Sequence, residues 1–402
     1  MTDFNAENYF NKLNLVLKKH HRAIPFLLID LDLLDKNIET LKNACHPKIN
    51  LRIAAKSLPS FELIRYIMDK LRTDNLMVFH QPFLTDLSAR LNEKADVLLG
   101  KPMPIKTAAY YFANLPELQN GFDPYKQIQW LVDTEDRITQ YANLADKLGE
   151  KLRLNLEIDV GLHRGGFTTI EELRIGLKII NNHRDKLTFS GFMGYDPHLV
   201  KIPNLLRSQQ KSLETSKAFY DQCIATVKEE FFLLWNESLT FNGAGSPTVH
   251  LHKSTNTPLN DITASSCLVK PSTFDIDSLT AFEPATFIAT PILKKFEGTT
   301  LPGLEKLKSI LNYSPSNRQS FFIYGGFWKA AYCYPKGLKQ NSLFGASTNQ
   351  TMLNAPPDVN LDVDDFVFLR PHQSEFVFLQ FGNILTIRNH ELEGEWTLLQ
   401  NL

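Results

Sequence analysis

The sequence carries almost no excess of charge of either sign: 43 lysines and arginines against 44 aspartates and glutamates leave a formal net charge of -1. The two signs are interspersed, so no basic face for a nucleic acid or an anionic membrane is marked out. Cysteine is scarce, four in 402 residues (Cys45, Cys223, Cys267 and Cys333), and no two form a CxxC pair. That excludes a disulfide framework and suits the reduced thiols of a cytoplasmic enzyme. No apolar run is long enough to span a bilayer, and the opening MTDFNAENYFNKLN has no apolar signal core. Low-complexity tracts and internal repeats are also missing. These absences leave a small molecule as the expected partner, with no nucleic acid and no membrane.

What is present is globular: 43% hydrophobic and 22% charged residues, in a chain long enough for two domains or for one barrel of roughly 250 residues and a smaller domain. After a charged arm containing LKKHHR, the segment IPFLLIDLDLL reads as a buried strand turning into a helix near Leu34. Short apolar runs follow at LRIAAK, LMVFH, ADVLLG, IQWLVD, LRLNLEID, FSGFMGYD, SLTFNGAG and CLVKPSTFD. Most of the intervals hold a helical stretch, such as SFELIRYIMDKL or TEDRITQYANLADKLG. Eight runs with helix-length returns predict a parallel (β/α)8, TIM-like barrel over residues 36–275, in preference to an open doubly wound sheet. From residue 276 to 402, aromatic and β-branched runs broken by Gly, Pro and Asn predict a C-terminal β domain. The fold class is therefore α/β, a barrel followed by a β domain.

In such a barrel the chemistry sits where strands end. Lys56 closes the first run, His80 follows the second, Asp159 to Arg164 follow the fifth, Tyr195 and His198 the sixth, and Gly243 to Thr248 the seventh. A lysine delivered to a barrel mouth can lose its proton and form a Schiff base with a carbonyl, of which pyridoxal phosphate is the commonest cofactor case; alone, such a lysine is more often a surface residue. The loop FNGAGSPT offers two glycines, Ser246 and Thr248, a cradle suited to phosphate, although it has neither GK[ST] nor a full GxGxxG and reads equally as a tight turn. Arg164, in EIDVGLHRGGF, can hydrogen-bond a phenolate or carboxylate, or simply pair with Asp159. In GFMGYDPHL, Tyr195 can contact a cofactor or substrate and His198 can act as general base; a capped turn is the bland alternative.

Taken in order, IPFLLIDLDLLDKNI, RIAAKS, DVGLHRGGF, GFMGYDPH and NGAGSPT resemble the fold type III pyridoxal-phosphate enzymes, the alanine racemase N-terminal-domain superfamily. Within it the chain looks most like the D-threonine aldolase and D-serine dehydratase branch, with YGGFWKAA and FVFLRPHQSE similar to that branch's C-terminal motifs. The resemblance implies pyridoxal 5'-phosphate on Lys56 as a Schiff base, Arg164 on its phenolic oxygen, Gly243, Gly245, Ser246 and Thr248 on its phosphate, and Tyr195 against it. It implies that the arm over residues 1–35 ends in a strand, Phe26 to Asp30, that joins the C-terminal β domain, and that the protein is a homodimer. The activity implied is a lyase for a D-configured β-hydroxy amino acid, by retro-aldol cleavage or dehydration.

That branch holds a divalent metal, Mn or Zn, through a histidine and a cysteine or aspartate two residues on. Here His372 is present but is followed by Ser374, a weak ligand, and Glu375 would face away on a regular strand. Racemisation on the same scaffold needs a second acid/base, for which Tyr324, Tyr332 and Tyr334 are candidates. A cofactor-binding protein without turnover is the non-enzymatic alternative. His250 and His252 in VHLHKS alternate along an extended segment as a metal pair would, yet no third ligand lies nearby and a solvated loop is expected; His390 reads as a turn residue.

Overall fold

The computed structural model describes residues 6–20, 22–201, 208–254, 256–300 and 302–400. In chain order α1 (Ala6–Lys18), β1 (Phe26–Asp30) and α2 (Leu31–Ala44) precede eight short strands. These are β2 (Asn50–Ala54), β3 (Asn75–Val78), β4 (Asp96–Leu99), β5 (Ile128–Val132), β6 (Leu152–Glu157), β7 (Leu187–Gly194), β8 (Thr240–Gly243) and β9 (Asp261–Thr263). The remaining strands are β10 (Thr286–Glu297), β11 (Gln319–Tyr324), β12 (Ala330–Tyr334), β13 (Lys339–Gln340), β14 (Gln350–Ala355), β15 (Phe366–Pro371), β16 (Asn383–Arg388) and β17 (Glu391–Thr397). Two compact units result. One contains residues up to Asn37 with 268–275 and 282–398, the other 38–267 with 276–281 and the residues from Leu399.

Strands β2 to β9 close in sequence order into a parallel barrel. Capping residues start its outer helices where the sequence supplies them. Thr134 Oγ1 accepts the Arg137 N–H at 3.2 Å ahead of the helix Glu135–Leu148, and Thr169 Oγ1 accepts the Glu172 N–H at 3.2 Å ahead of Ile170–Asn182. The first of these helices ends on Gly149, left-handed at φ 67°.

The eighth barrel strand is not CLVKPSTFD, which instead begins within a short helix, Ser266–Val269; it is the three-residue Asp261–Thr263. Its single apolar residue, Ile262, gives no hydrophobic run, because Asp261 belongs to a buried polar layer. Within that layer Arg52 Nε and Nη2 donate to the two Asp261 oxygens at 2.9 and 3.0 Å, and Nη2 also donates to Asp96 Oδ1 at 2.9 Å. Gln129 joins Asp96 at 2.7 Å, Asn155 joins Gln129 at 3.1 Å, and Asn242 reaches Asp261 and Thr263. Burial pushes the Asp96 carboxyl up, but the Arg52 and Arg153 guanidiniums outweigh it and hold the group below its ordinary value.

The second unit is a nine-stranded sheet ordered β13-β14-β11-β10-β1-β16-β17, with β15 pairing β10 and β12. Strand β1 lies in this sheet: Leu27 pairs antiparallel with Ile288 of β10 and parallel with Ile384 of β16. The helix after it begins at Leu31, earlier than Leu34, because Asp30 Oδ1 accepts the N–H groups of Asp32 and Leu33 at 2.9 and 3.0 Å and starts it at once. The arm is not merely charged. Tyr9, Phe10, Leu13 and Leu17 form the buried face of α1, with Phe10 in ring contact with Phe287, Phe368 and Tyr334. Asn389 and His390 make the two-residue turn between β16 and β17, both left-handed at φ 52° and 62°, as a tight hairpin requires. Among the described residues no helix is long and apolar enough to cross a membrane.

Candidate active site

Parallel closure puts the C-terminal ends of β2 to β9 on one rim, and most of the residues singled out in the sequence lie on it. Strand β2 is buried at Ile53 and Ala54 and then turns through Ala55–Ser57, which leaves Lys56 exposed between buried neighbours. The turn is tied down from the β9 side: Ala54 N–H donates to Ser265 Oγ at 2.6 Å, and the Ser266 hydroxyl donates to Ser57 Oγ at 3.0 Å. The lysine ammonium lies 4.4 Å from the centroid of Phe79, the residue after β3, an arrangement that attracts a cation to the ring face. Phe79 can lie there because residue 100, after β4, is glycine; a Cβ at that position would sit 2.2 Å from the ring.

Across the rim, β6 ends in two carboxylates with opposite tendencies. Burial raises the Glu157 pKa, with Arg164 opposing and Asp133 and Asp159 reinforcing. Burial also acts on Asp159, but the Gly161 and His163 N–H groups, each 2.9 Å from Oδ1, and the His163 ring 2.8 Å from Oδ2 outweigh it and lower its pKa. Asp159 therefore builds the turn rather than pairing with Arg164. The Arg164 guanidinium instead lies over the Tyr195 ring, 5.0 Å from its centroid. Tyr195 in turn packs on Gly245, where a Cβ would fall 2.8 Å from the ring.

The loop after β8 turns through Ala244, left-handed at φ 57°. Ser246, also buried, accepts the Cys267 N–H at 3.1 Å through Oγ. Thr248 differs from the other loop residues: it is fully buried, its hydroxyl donates to Asp196 Oδ1 at 2.6 Å, and Oγ1 accepts the Gly245 N–H at 3.1 Å. His198 sits in the short turn Pro197–Val200 with its ring against Gly161. His80 is exposed at the start of the helix Gln81–Ser88 and stacks edge-on with Phe83.

His372 belongs to the sheet unit, where its Nδ1 is 2.6 Å from Ser272 Oγ. Ser374 and Glu375 begin a short helix, Ser374–Phe378, not a continuation of the strand. Among the described residues no group of three His, Cys, Asp or Glu side chains is placed to hold a metal. His250 and His252 lie in a short helical turn, Val249–His252, not an extended segment, and His252 is bonded to Asp196. Phe79, Glu157 and Asp196 are rim residues the sequence reading passed over; each follows or ends an apolar run next to a residue that was noticed.

The sequence matches the family model of the alanine racemase N-terminal domain over residues 29–254, more than half of the chain. The protein belongs to that family. No curated protein is similar enough in sequence to match. Solved structures share its fold: a D-threonine aldolase from Filomicrobium marinum, at 15% identity and TM-score 0.69, covers 94% of this chain and 97% of its own. A D-threo-3-hydroxyaspartate dehydratase from Delftia sp. HT23, at 14% and 0.70, covers 96% and 100%. An alanine racemase from Clostridium difficile 630, at 16% and 0.71, covers 95% and 100%.

Proposed function

We propose that the barrel rim binds pyridoxal 5'-phosphate and that the protein is a lyase for a D-configured β-hydroxy amino acid, D-threonine aldolase-like or D-serine dehydratase-like. The observation that carries this reading is the rim itself: one exposed lysine at the end of β2, with Arg164 over Tyr195 and Tyr195 packed on Gly245, next to Ser246, on neighbouring strand ends. When bound, the cofactor supplies an electron-poor ring that accepts the electron pair left at Cα as a bond to that carbon breaks.

Each side chain has work suited to its place. The Lys56 amine is the attachment point, and Phe79 holds it while it is charged. Arg164, held flat on Tyr195, presents N–H donors to a phenolic oxygen. Gly243, Gly245 and Ser246 border the phosphate, and Thr248 supports that loop from behind. His198, beside the Asp159–Arg164 turn, is the residue we assign to proton transfer at the substrate hydroxyl.

His372 keeps only Nε2 for a cation, since Nδ1 faces Ser272. One imidazole nitrogen beside a buried serine does not make a divalent metal site, and no step is assigned to a metal. A racemase is the second reading, and Tyr324 favours it. It is 41% exposed at the end of β11, whereas burial pushes Tyr332 up to about 12 and Tyr334 donates to Asn11 at 2.9 Å. A homodimer fits either reading, because Phe327, Leu343, Phe344 and Phe376 are large apolar side chains left exposed on the sheet unit.

The test is borohydride reduction of the protein with pyridoxal 5'-phosphate, followed by peptide mapping. Label on Lys56, lost in Lys56→Ala, is expected; label on another lysine sinks the assignment. Products from D-threonine and D-serine, with and without Mn²⁺ or Zn²⁺, then separate the reactions. Glycine plus aldehyde, or a 2-oxo acid, supports the lyase, and the opposite enantiomer without loss of amino acid supports the racemase.

A further inference from the structure

Directly behind Tyr195 lies a chain of buried hydrogen bonds that the roles above leave unused. Asp196, 4% exposed, accepts from the Thr248 hydroxyl through Oδ1 at 2.6 Å, and its Oδ2 lies 2.8 Å from His252 Nε2. His252 is 3% exposed, and its Nδ1 lies 2.9 Å from Thr257 Oγ1. An ionised carboxylate only accepts, so Nε2 donates to Asp196, while Nδ1 meets the Thr257 hydroxyl, whose oxygen also accepts the Leu259 N–H at 3.4 Å.

This chain joins the two loops that matter most. Asp196 follows Tyr195 after β7, and Thr248 closes the loop after β8. Thr248 Oγ1 also accepts the Gly245 N–H, so the carboxylate of Asp196 is connected through one hydroxyl to the backbone of the glycine on which Tyr195 packs. The ring and the loop are thus fixed to each other by bonds to a buried carboxylate, the stronger kind of hydrogen bond.

We propose that Asp196 and His252 are positioning residues for the phosphate end of the cofactor site: His252 holds the Asp196 carboxylate, which through Thr248 sets the Gly245–Ser246 loop at its anion-binding spacing from Tyr195. The inference rests on the reading of the rim as a pyridoxal-phosphate site. It concerns only the phosphate, so compounds with and without that group distinguish it from general stability.

The experiment measures binding of pyridoxal 5'-phosphate and of pyridoxal, and competition by inorganic phosphate, for the wild-type protein, Asp196→Ala, His252→Ala and His252→Gln. The expected result is a loss of about tenfold to a hundredfold in affinity for pyridoxal 5'-phosphate in both alanine variants, from the removal of hydrogen bonds to a charged group. Pyridoxal binding changes less than twofold, inorganic phosphate ceases to compete, and His252→Gln, which restores an N–H donor, recovers most of the loss. Equal losses for the two compounds, or no loss, overturn the inference and leave the rim assignment standing. Should an alanine variant fail to fold, Thr257→Val reads the same ratio from the far end of the chain, and an unchanged ratio there overturns the inference. A wild-type protein that takes up neither compound overturns both.

Discussion

Two buried clusters, one in each unit, differ in kind. Inside the barrel, Arg52, Asp96, Gln129, Asn155, Asn242 and Asp261 form a hydrogen-bonded layer that includes charges. In the sheet unit, rings pack α1 onto the strands, with Phe10 against Phe287, Phe368 and Tyr334. A ring cluster yields gradually to substitution, whereas a charge layer works only with every partner in place. The barrel interior therefore holds fixed strand ends for the rim at the expense of tolerance.

Arg52→Ala breaks this contrast at its sharpest point, because it leaves the buried Asp261 without its cation and Asp96 with Arg153 alone. A loss of about 3–5 kcal/mol is expected, read as urea unfolding with faster hydrogen exchange confined to β2, β4 and β9. Phe10→Ala is the counterpart in the sheet unit. It removes the ring contacts with Tyr9, Phe287, Phe368 and Tyr334 and should cost about 3 kcal/mol, with exchange rising in β1, β10 and β15 and the barrel unchanged. Equal exchange in both units after either substitution would show that the two interiors do not act separately.

A smaller and finer difference concerns acid. In the barrel, Asp96 and Asp159 are held below the ordinary carboxylate value; their contribution is complete above that value and is lost as pH falls through the lowered one. In the sheet unit, burial raises the Asp30 pKa above the usual range, even though it accepts from Tyr9 and from the start of α2. Its contribution is present below the ordinary value and is lost as pH rises through the raised one. Exchange measured from pH 6 down to pH 3 should show the barrel strands loosening first while β1 holds. The reverse order would contradict the assigned directions.

Much of this architecture was legible. Seven barrel strands announce themselves as apolar runs, and Lys56, Arg164 and Tyr195 stand at strand ends where a sequence pattern can find them. The eighth strand was not legible, since a three-residue Asp-Ile-Thr has no hydrophobic signature and its meaning comes from Arg52, 209 residues away. The α1 face was hidden by the charged LKKHHR beside it, although Tyr9, Phe10, Leu13 and Leu17 have helical spacing. His252 was visible but misread: a solvated loop was expected, and only the tertiary fold buries it against Asp196, 56 residues earlier.

The pairing of β1 has a consequence for how the chain is made. Phe26–Asp30 is wholly buried, yet its neighbours are Ile288 on one side and Ile384 on the other. At ordinary synthesis rates the interval from Leu27 to its parallel partner is on the order of twenty to seventy seconds. Within that time every barrel strand is delivered before either partner of β1 is made. The barrel strands can thus pair while β1 still has both edges open, and β1 is completed only when the last strands emerge.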